Sequence, residues 1–350
     1  MASYICVKIW KGFGLKPAII WAVLSVLIVT WWSLFRRVLE INIPPVLSLI
    51  GYMYLPVTGF AFVLFLAVDL IRLVLWCLLR IKVNAKHELL LVFTLVAAML
   101  CYGYFEAKDV RTVEITVSTD KLPRDIDTIK IVQITDLHIG KTFDVMQLNK
   151  AMEITLAAKP DLIVLTGDMV DMDLRGDVHL AKTLGSVDAP LGKYAVTGNH
   201  EHYAGFNQSI DFKRRAGYIV LQSEWYDLGP IVIAGVDDPG RAIVSKRDES
   251  FNLLSSLPDD LRNKFILFLK HQPHVHEDNI SLFDLQISGH THGGQIWPFK
   301  YIVSLVHGVK QGLSAYGDSL LYVSNGTGNW GPPVRFLAPP EVTVINVTRK

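Results

Sequence analysis

Residues 129–138 read IKIVQITDLH, an apolar run rich in β-branched residues that ends in an aspartate and a histidine. The run is too short for a helix, so it predicts a buried strand. The arrangement recurs along the chain: residues 162–171 read LIVLTGDMVD, 194–201 read YAVTGNHE, 265–271 read FILFLKH and 285–292 read LQISGHTH. Each predicted strand therefore delivers polar side chains at its carboxyl end, where open α/β sheets build their sites.

From residue 110 onward, short β-rich runs alternate with helical or polar segments. Residues 143–158, for example, have the apolar spacing of a helix. This alternation predicts an α/β domain, and the number of late strands predicts a second sheet packed on the first. The fold class that we expect is therefore α/β, a two-sheet α/β sandwich. Its further predicted strands are 231–235, 320–324 and 342–347.

The polar residues behind the five strands suit divalent metal ions. Imidazole, carboxylate and amide ligands without thiolate fit Mn, Fe, Zn or Mg. The set is too large for one ion, but with a bridging carboxylate it suits two ions roughly 3.5–4 Å apart. A single such residue is more often a cap or turn residue, so the recurrence behind five strands is what favours a metal site. The predicted ligands are Asp136, His138, Asp168, Asn199, His271, His290 and His292, with Gly167, Gly198 and Gly289 permitting the tight turns beside them.

Taken in order, the motifs DLH, GDMVD, GNHE, a later histidine and GHTH resemble the calcineurin-like metallophosphoesterase superfamily. Two longer stretches, GHTHGGQI at 289–296 and GTGNWGPPVRFLAPPEV at 326–342, resemble the ending of its membrane-anchored or exported branch. The resemblance covers residues 125–348. It implies a metal-dependent phosphoric ester hydrolase. The protein phosphatases of the superfamily have an Arg-Gly pair where this chain has Met172 and Asp173, which argues against that activity.

The resemblance also implies a role for each residue of the site. Asp168 would bridge the two ions, and hydroxide formed from their shared water would attack phosphorus. His200 resembles the histidine that protonates the leaving oxygen. Asp171 either accepts a hydrogen bond from a ligand imidazole, which fixes its tautomer, or is a turn residue. One ion would be held by Asp136, His138, Asp168 and His292, and the other by Asp168, Asn199, His271 and His290.

Residues 1–107 have the composition of a membrane domain. They carry a net charge of +5, whereas the remainder carries −4, and all three cysteines lie among them. Three apolar stretches, 17–35, 49–79 and 89–105, are 19, 31 and 17 residues long. About 17–25 apolar residues suffice to cross a bilayer, so each can be a span. The first is followed by two more spans and lacks a small-x-small cleavage site, so we interpret it as a retained anchor. We therefore expect an all-α transmembrane domain over 1–107 and a catalytic domain over 108–350.

The distribution of lysine and arginine predicts the orientation of these spans. Lys8, Lys11 and Lys16 precede the first span, and Arg80, Lys82 and Lys86 lie between the second and third, whereas the remaining loop begins with Arg36 and Arg37. This bias places the amino terminus in the cytoplasm and the catalytic domain outside it. A fourth span within 41–79 would invert the prediction. Asp69 and Arg72, one helical turn apart, are expected to pair with each other rather than to mark a transport path.

We expect the whole chain to be a membrane-anchored phosphoesterase that uses two metal ions to hydrolyse a phosphodiester or pyrophosphate bond. Residues 296–309, IWPFKYIVSLVHGV, are apolar and follow the last motif. They are either a flap that meets a lipid-linked substrate, or ordinary core or a lid over the edge of a sheet. The alternative is a phosphomonoesterase or nucleotidase acting on soluble substrates. A catalytically silent metal-binding sensor or transporter is disfavoured, because every ligand and His200 are present.

The near-neutral net charge indicates no nucleic-acid partner, and no motif requires a protein partner. In the closing motif, Arg335 and Glu341 either contact substrate or pair with each other, and the structural pair is the favoured prediction.

Overall fold

The computed structural model describes residues 1–37, 45–80, 83–140, 143–174, 176–240 and 249–350. Lys82, which contributes to the predicted orientation, lies outside these residues. The chain forms two compact units, Met1–Phe105 and Glu106–Lys350.

The first unit is helical. Two of its helices, over Val46–Leu79 and Ala85–Glu106, are long and apolar enough to cross a membrane. The predicted span 17–35 falls within a third helix, whose described side chains provide a shorter apolar segment, Leu15–Ile28. The helices are α1 (Ala2–Phe13), α2 (Leu15–Arg37), α3 (Pro45–Leu79) and α4 (Ala85–Glu106).

Polar side chains of the first unit pair between helices rather than along one helix. Asp69 of α3 accepts hydrogen bonds from Tyr4 and Lys8 of α1. Glu88 of α4 accepts from Lys8 and, at 3.1 Å, from Arg72. The expected pair between Asp69 and Arg72 is therefore wrong, because each side chain reaches a partner on a neighbouring helix. Pairing in an apolar surrounding offsets part of the cost of burying these charges.

The second unit contains two six-stranded sheets. The first has the order β1-β12-β2-β3-β4-β5, and its strands β2 to β5 run parallel. The second has the order β10-β11-β9-β8-β7-β6, and β7, β8, β9 and β11 run parallel. The strands are β1 (Arg111–Thr119), β2 (Thr128–Ile134), β3 (Leu162–Thr166), β4 (Lys193–Val196), β5 (Ile219–Val220), β6 (Glu224–Asp227), β7 (Ile231–Gly235), β8 (Phe265–Leu269), β9 (Leu285–Ser288), β10 (Gly312–Tyr316), β11 (Ser319–Val323) and β12 (Glu341–Arg349).

Helices cover the outer faces of both sheets. Those packed on the first sheet belong to a core that contains Leu148, Leu184 and Phe212, and those on the second to a core that contains Leu254 and Leu261. The α-helices described in this unit, whether or not they cover a sheet, are α5 (Val145–Ala158), α6 (Val178–Leu184), α7 (Asn199–Ala204), α8 (Phe206–Arg215), α9 (Glu249–Ser255), α10 (Asp259–Arg262) and α11 (Phe299–His307).

A third core fills the space between the sheets. Ile131 and Val164 of the first sheet pack there with Ile233, Leu267 and Ile287 of the second. Strands β3, β7 and β8 are buried at every position, because both faces of each sheet are covered. The predicted α/β class and the two-sheet sandwich are confirmed. Since the parallel strands end at one edge of each sheet, the polar residues that follow them converge.

Candidate active site

The backbone at the predicted ligands adopts a conformation that side-chain-bearing residues seldom adopt. Five of the seven have positive φ angles between 50° and 72°. Such residues each cost of order 1–3 kcal/mol, and they cluster at functional sites where surrounding structure fixes them. The strand ends of both sheets therefore hold a concentrated set of strained positions. They are Asp136, His138, Asp168, His290 and His292.

Two groups of ligand atoms face each other across the strand ends. In one, the Nε2 atoms of His138 and His292 lie 2.9 Å apart, and Nε2 of His292 lies 3.5 Å from Oδ1 of Asp136. In the other, Nε2 of His271 lies 3.1 Å from Oδ2 of Asp168. The same Asp168 oxygen lies 3.8 Å from Nε2 of His138, so Asp168 stands between the groups.

His290 and Asn199 complete the predicted set. Nδ1 of His290 lies 3.2 Å from Nε2 of His271. Oδ1 of Asn199 is buried and has no hydrogen-bond partner among the described residues. A buried amide oxygen without a partner is unfavourable unless a ligand contacts it. Both side chains line the same cleft as His138 and Asp168, which has a volume of about 310 Å³.

Hydrogen bonds fix the tautomers of two of these imidazoles. His271 places Nδ1 2.8 Å from the carbonyl oxygen of Thr166, and His138 places Nδ1 2.9 Å from Oδ1 of Asp171. Nδ1 is the donor toward each oxygen, so in the neutral rings the Nε2 lone pairs point at Asp168. Lone pairs that face a carboxylate in a buried site are unfavourable unless a metal ion lies between them or a proton occupies Nε2. The residues therefore fit divalent metal ions, whose imidazole ligands commonly donate their other N–H to an oxygen.

The pKa values of the histidines also indicate that the buried carboxylates favour positive charge beside them. Burial lowers the pKa of His271, but the carboxylates of Asp168 and Asp136 outweigh it and raise the value to about 10. Burial also lowers the pKa of His138, but the carboxylates of Asp171 and Asp168 outweigh it and raise the value to about 9. Burial and the neighbouring His271 lower the pKa of His290 to about 3. Without another cation, protons would collect on two of the imidazoles that face the carboxylates.

Asp171 serves two histidines at once. Its Oδ1 lies 2.9 Å from Nδ1 of His138 and 2.7 Å from Nδ1 of His200. Burial raises the pKa of Asp171, but the facing imidazoles lower it further and leave it well below its usual value. Of the two predicted roles, the contacts favour orientation of imidazoles over a simple turn. His200 itself lines the cleft, and the ring of Tyr203 lies 5.1 Å from its own.

Two predicted turn glycines are required for a different reason. Gly167 has φ of 95°, as the turn prediction expects. Gly198 has φ of −114°, which any residue adopts. A side chain there would place its Cβ 2.2 Å from Oδ1 of Asp168, and one at Gly289 would come within 2.0 Å of Oδ2 of Asp136. Close approach of backbone to the carboxylates, rather than turn geometry, therefore demands glycine at these two positions.

Glu201, the last residue of GNHE, joins two of the ligand loops. Its carboxylate accepts from the backbone N–H groups of Gly198 at 2.6 Å, Asp168 at 2.9 Å and Met169 at 2.8 Å. Lys213 of α8 lies 3.0 Å from the same carboxylate, and both side chains are fully buried. The sequence analysis missed this pair. A glutamate at the third position of α7 could have been recognised as a cap, but its distant lysine had no local signal.

Arg335 is also buried, and it does not pair with Glu341 as predicted. It donates to the backbone carbonyls of Asn325 at 2.8 Å and Ala338 at 3.0 Å, and its Nη2 lies 3.2 Å from Nδ1 of His292. Glu341 instead accepts from the hydroxyl of Tyr322 at 2.8 Å. Arg335 thus holds the closing motif together behind His292.

Comparison with known proteins places the chain in a family. The model of the calcineurin-like phosphoesterase family matches residues 129–294. A metallophosphoesterase of Aquifex aeolicus (strain VF5) is 36% identical over 255 residues, which cover 71% of this chain and 96% of that protein. This chain belongs to the calcineurin-like metallophosphoesterases. The resemblance predicted from its motifs is confirmed, and the chain is a metal-dependent hydrolase.

Other relatives extend the similarity toward the amino terminus of this metallophosphoesterase. A metallophosphoesterase of Campylobacter jejuni is 32% identical over 312 residues, which cover 87% of this chain and 82% of that protein. A Danio rerio protein named transmembrane protein with metallophosphoesterase domain is 26% identical over 277 residues, which cover 74% of this chain and 62% of that protein.

The buried pair between Lys213 and Glu201 generates a stability prediction for this metallophosphoesterase. Replacing Lys213→Met leaves a buried carboxylate without its cation, which should lower the free energy of unfolding by about 3–5 kcal/mol. The control is Lys150→Met, which removes an exposed ion pair with Glu153 and should cost less than about 1 kcal/mol. Denaturant unfolding in detergent, followed by near-ultraviolet circular dichroism, measures both. Equal stability of the two variants would contradict the role given to Lys213.

Proposed function

We propose that this metallophosphoesterase is membrane-anchored and holds two divalent ions with which it hydrolyses a phosphodiester or pyrophosphate bond. The observation that carries the proposal is that Nε2 atoms of two imidazoles, His138 and His271, lie 3.8 Å and 3.1 Å from the same oxygen of Asp168. The buried, unpartnered Oδ1 of Asn199 supports it. One ion would be held by Asp136, His138, Asp168 and His292, and the other by Asp168, Asn199, His271 and His290.

When bound, the ions would lower the pKa of water in the cleft and neutralise charge on the phosphoryl oxygens. The protein prepares the ligands for them. Asp171 and the carbonyl of Thr166 hold His138 and His271 as acceptors at Nε2. The backbone N–H of His200 donates to Oδ1 of Asp168 at 2.8 Å, which orients the bridging carboxylate. Candidate metals are Mn, Fe, Zn and Mg.

His200 would act as the general acid. Its Nδ1 lies 2.7 Å from Oδ1 of Asp171, which orients the ring, and its side chain reaches the cleft beside Asn199 and Trp330. A proton carried on Nε2 would pass to the leaving oxygen as the bond to phosphorus breaks. General-acid catalysis of this kind contributes about 10²–10⁴ to the rate.

The substrate that we propose is lipid-linked, so the phosphorus-containing group would reach the cleft from a membrane. The two helices able to cross a bilayer support anchoring, as does the likeness to proteins named transmembrane. Hydrolysis of soluble monoesters is the alternative. The proposed anchor is residues 1–107 with three spans, and residues 108–350 would lie outside the cytoplasm. A reporter enzyme that folds only outside the cytoplasm should be active when fused after Lys350, and an inactive fusion would contradict this orientation.

The first experiment measures metal-dependent hydrolysis of chromogenic phosphodiesters, pyrophosphates and monoesters by the purified chain. We expect activity that requires Mn or a similar ion and favours the diester or pyrophosphate. Asp168→Asn should abolish it, because the bridging charge is lost. Asp188→Asn, which alters an exposed carboxylate, is the matched control. Preference for the monoester would support the alternative, and absence of turnover with every ion would contradict the proposal.

A second comparison isolates the proton donor. His200→Ala should slow hydrolysis of an ester with a poor alkoxide leaving group by about 10²–10⁴. The loss should be much smaller for a nitrophenyl ester, whose leaving group needs no proton. The exposed His179→Ala serves as control. Equal losses for both esters would show that His200 acts through structure or metal binding instead of proton transfer.

A further inference from the structure

Helix α11 presents large apolar side chains to solvent. The exposed fraction is 62% for Tyr301, 55% for Ile302, 84% for Leu305 and 72% for Val306. None of the nine residues of this fully described helix is buried. The four exposed residues are spaced i, i+1, i+4 and i+5, which places them on one face. This face is defined here as the apolar face of α11. The prediction that residues 296–309 are ordinary core is therefore wrong for α11, although Ile296 and Val309 at the ends of the run are buried.

The opposite side of α11 belongs to the candidate active site. Val303 and His307, also one turn apart, line the cleft that contains His290 and Asp168. The ring centroid of His307 lies 5.3 Å from that of His290. One helix, about 10 Å in diameter, therefore separates the apolar face from the cleft. A molecule that contacts the apolar face therefore lies about one helix diameter from the cleft.

The charged residues near the apolar face in the sequence are of one sign. Residues 285–317 contain no aspartate or glutamate, Lys300 lies in the first turn of α11, and Lys310 follows three residues after its last residue. Lys310 is exposed. An apolar helical face with lysines at its ends complements the surface of a bilayer, where the apolar side chains enter the acyl boundary and the ammonium groups meet anionic headgroups.

We propose that the apolar face of α11 lies in the surface of a bilayer containing anionic lipids, and that the substrates are amphipathic phosphate esters drawn from it. The apolar part of such a molecule would stay in the bilayer while its phosphorus-containing group enters the cleft past Val303. The inference rests on the membrane anchoring in the proposed function. Four residues separate the end of α4 from β1, a chain length of about 14 Å, so the anchored domain stays near a bilayer.

The test places a spin label on the apolar face in the full chain. Cys6, Cys77 and Cys101 are replaced by serine, and Leu305→Cys supplies the single labelling position. The matched control is Leu156→Cys, on the exposed side of α5. Both proteins are reconstituted in nanodiscs of phosphatidylethanolamine and phosphatidylglycerol. The accessibility of each label to oxygen, which concentrates in lipid, is compared with its accessibility to a water-soluble nickel complex.

We expect position 305 to be more accessible to oxygen than to the nickel complex, and position 156 to show the reverse. Replacing phosphatidylglycerol by phosphatidylcholine should reduce the difference at 305, because the anionic headgroups are lost. A label at 305 that is as accessible to nickel as the one at 156 would overturn the proposal. Shielding from both reagents would overturn it too, because the face would then be covered by protein, such as a second copy.

An activity comparison separates this proposal from the proposed function. Leu305→Ser combined with Val306→Ser should leave hydrolysis of a soluble chromogenic diester unchanged. Hydrolysis of a lipid phosphodiester in the same nanodiscs should fall about tenfold or more, because two apolar side chains that would enter the bilayer are lost. Leu156→Ser is the control. Equal rates of the double variant and the wild type on the lipid ester would sink the proposal for α11, whereas failure of the wild type on every ester would sink the proposed function alone.

Discussion

The rest of the catalytic unit depends on two carboxylates that are buried among imidazoles at the strand ends, because their negative charge must be compensated. Asp136 and Asp168 are almost completely removed from water. A buried carboxylate is costly unless cations or hydrogen bonds compensate it. Backbone N–H groups compensate part: His290 donates to Asp136 at 3.0 Å, and His200 donates to Asp168 at 2.8 Å. The remaining demand is for positive charge placed between the carboxylates and the imidazoles that surround them.

Much of the surrounding structure serves to hold this arrangement under strain. The ligands with positive φ would relax if their loops were free. Glu201 prevents this for the loop of Asp168, because it accepts from three backbone N–H groups, and Lys213 neutralises it from α8. Arg335 has the corresponding position behind His292. The side chains of Lys213 and Arg335 are buried beside the loops that they stabilise. The strained backbone at the ligands is therefore held in place by packing and ion pairs outside the cleft.

The sequence predicts the catalytic fold well where local signals and tertiary structure agree. Strands β3 and β8 are apolar runs of five residues, followed by Gly167 and by Lys270, and both of their faces are covered, so the pattern is unambiguous. The convergence of the ligands follows from parallel strands ending at one edge. Pairings across long separations could not be predicted in this way. Lys8 pairs with Asp69 and Glu88, and Lys213 pairs with Glu201. These contacts produce no repeating pattern in the sequence from which they could be predicted.

The sequence also does not show which apolar residues lie at the surface. An apolar run such as 296–309 fits core and surface equally, and only the fold reveals that Leu305 and Val306 face outward while Val303 faces the cleft. Trp297 and Phe299, the more conspicuous aromatic residues, are half-buried.

The central proposal is that Asp168 would contact both of two metal ions. Anomalous X-ray scattering from crystals grown with manganese, recorded on both sides of its absorption edge, tests it most directly. The account predicts two peaks per chain, with Asp168 contacting both, Asn199 and His271 at one, and His138 and His292 at the other. A single peak, or two peaks of which Asp168 contacts neither, would contradict it.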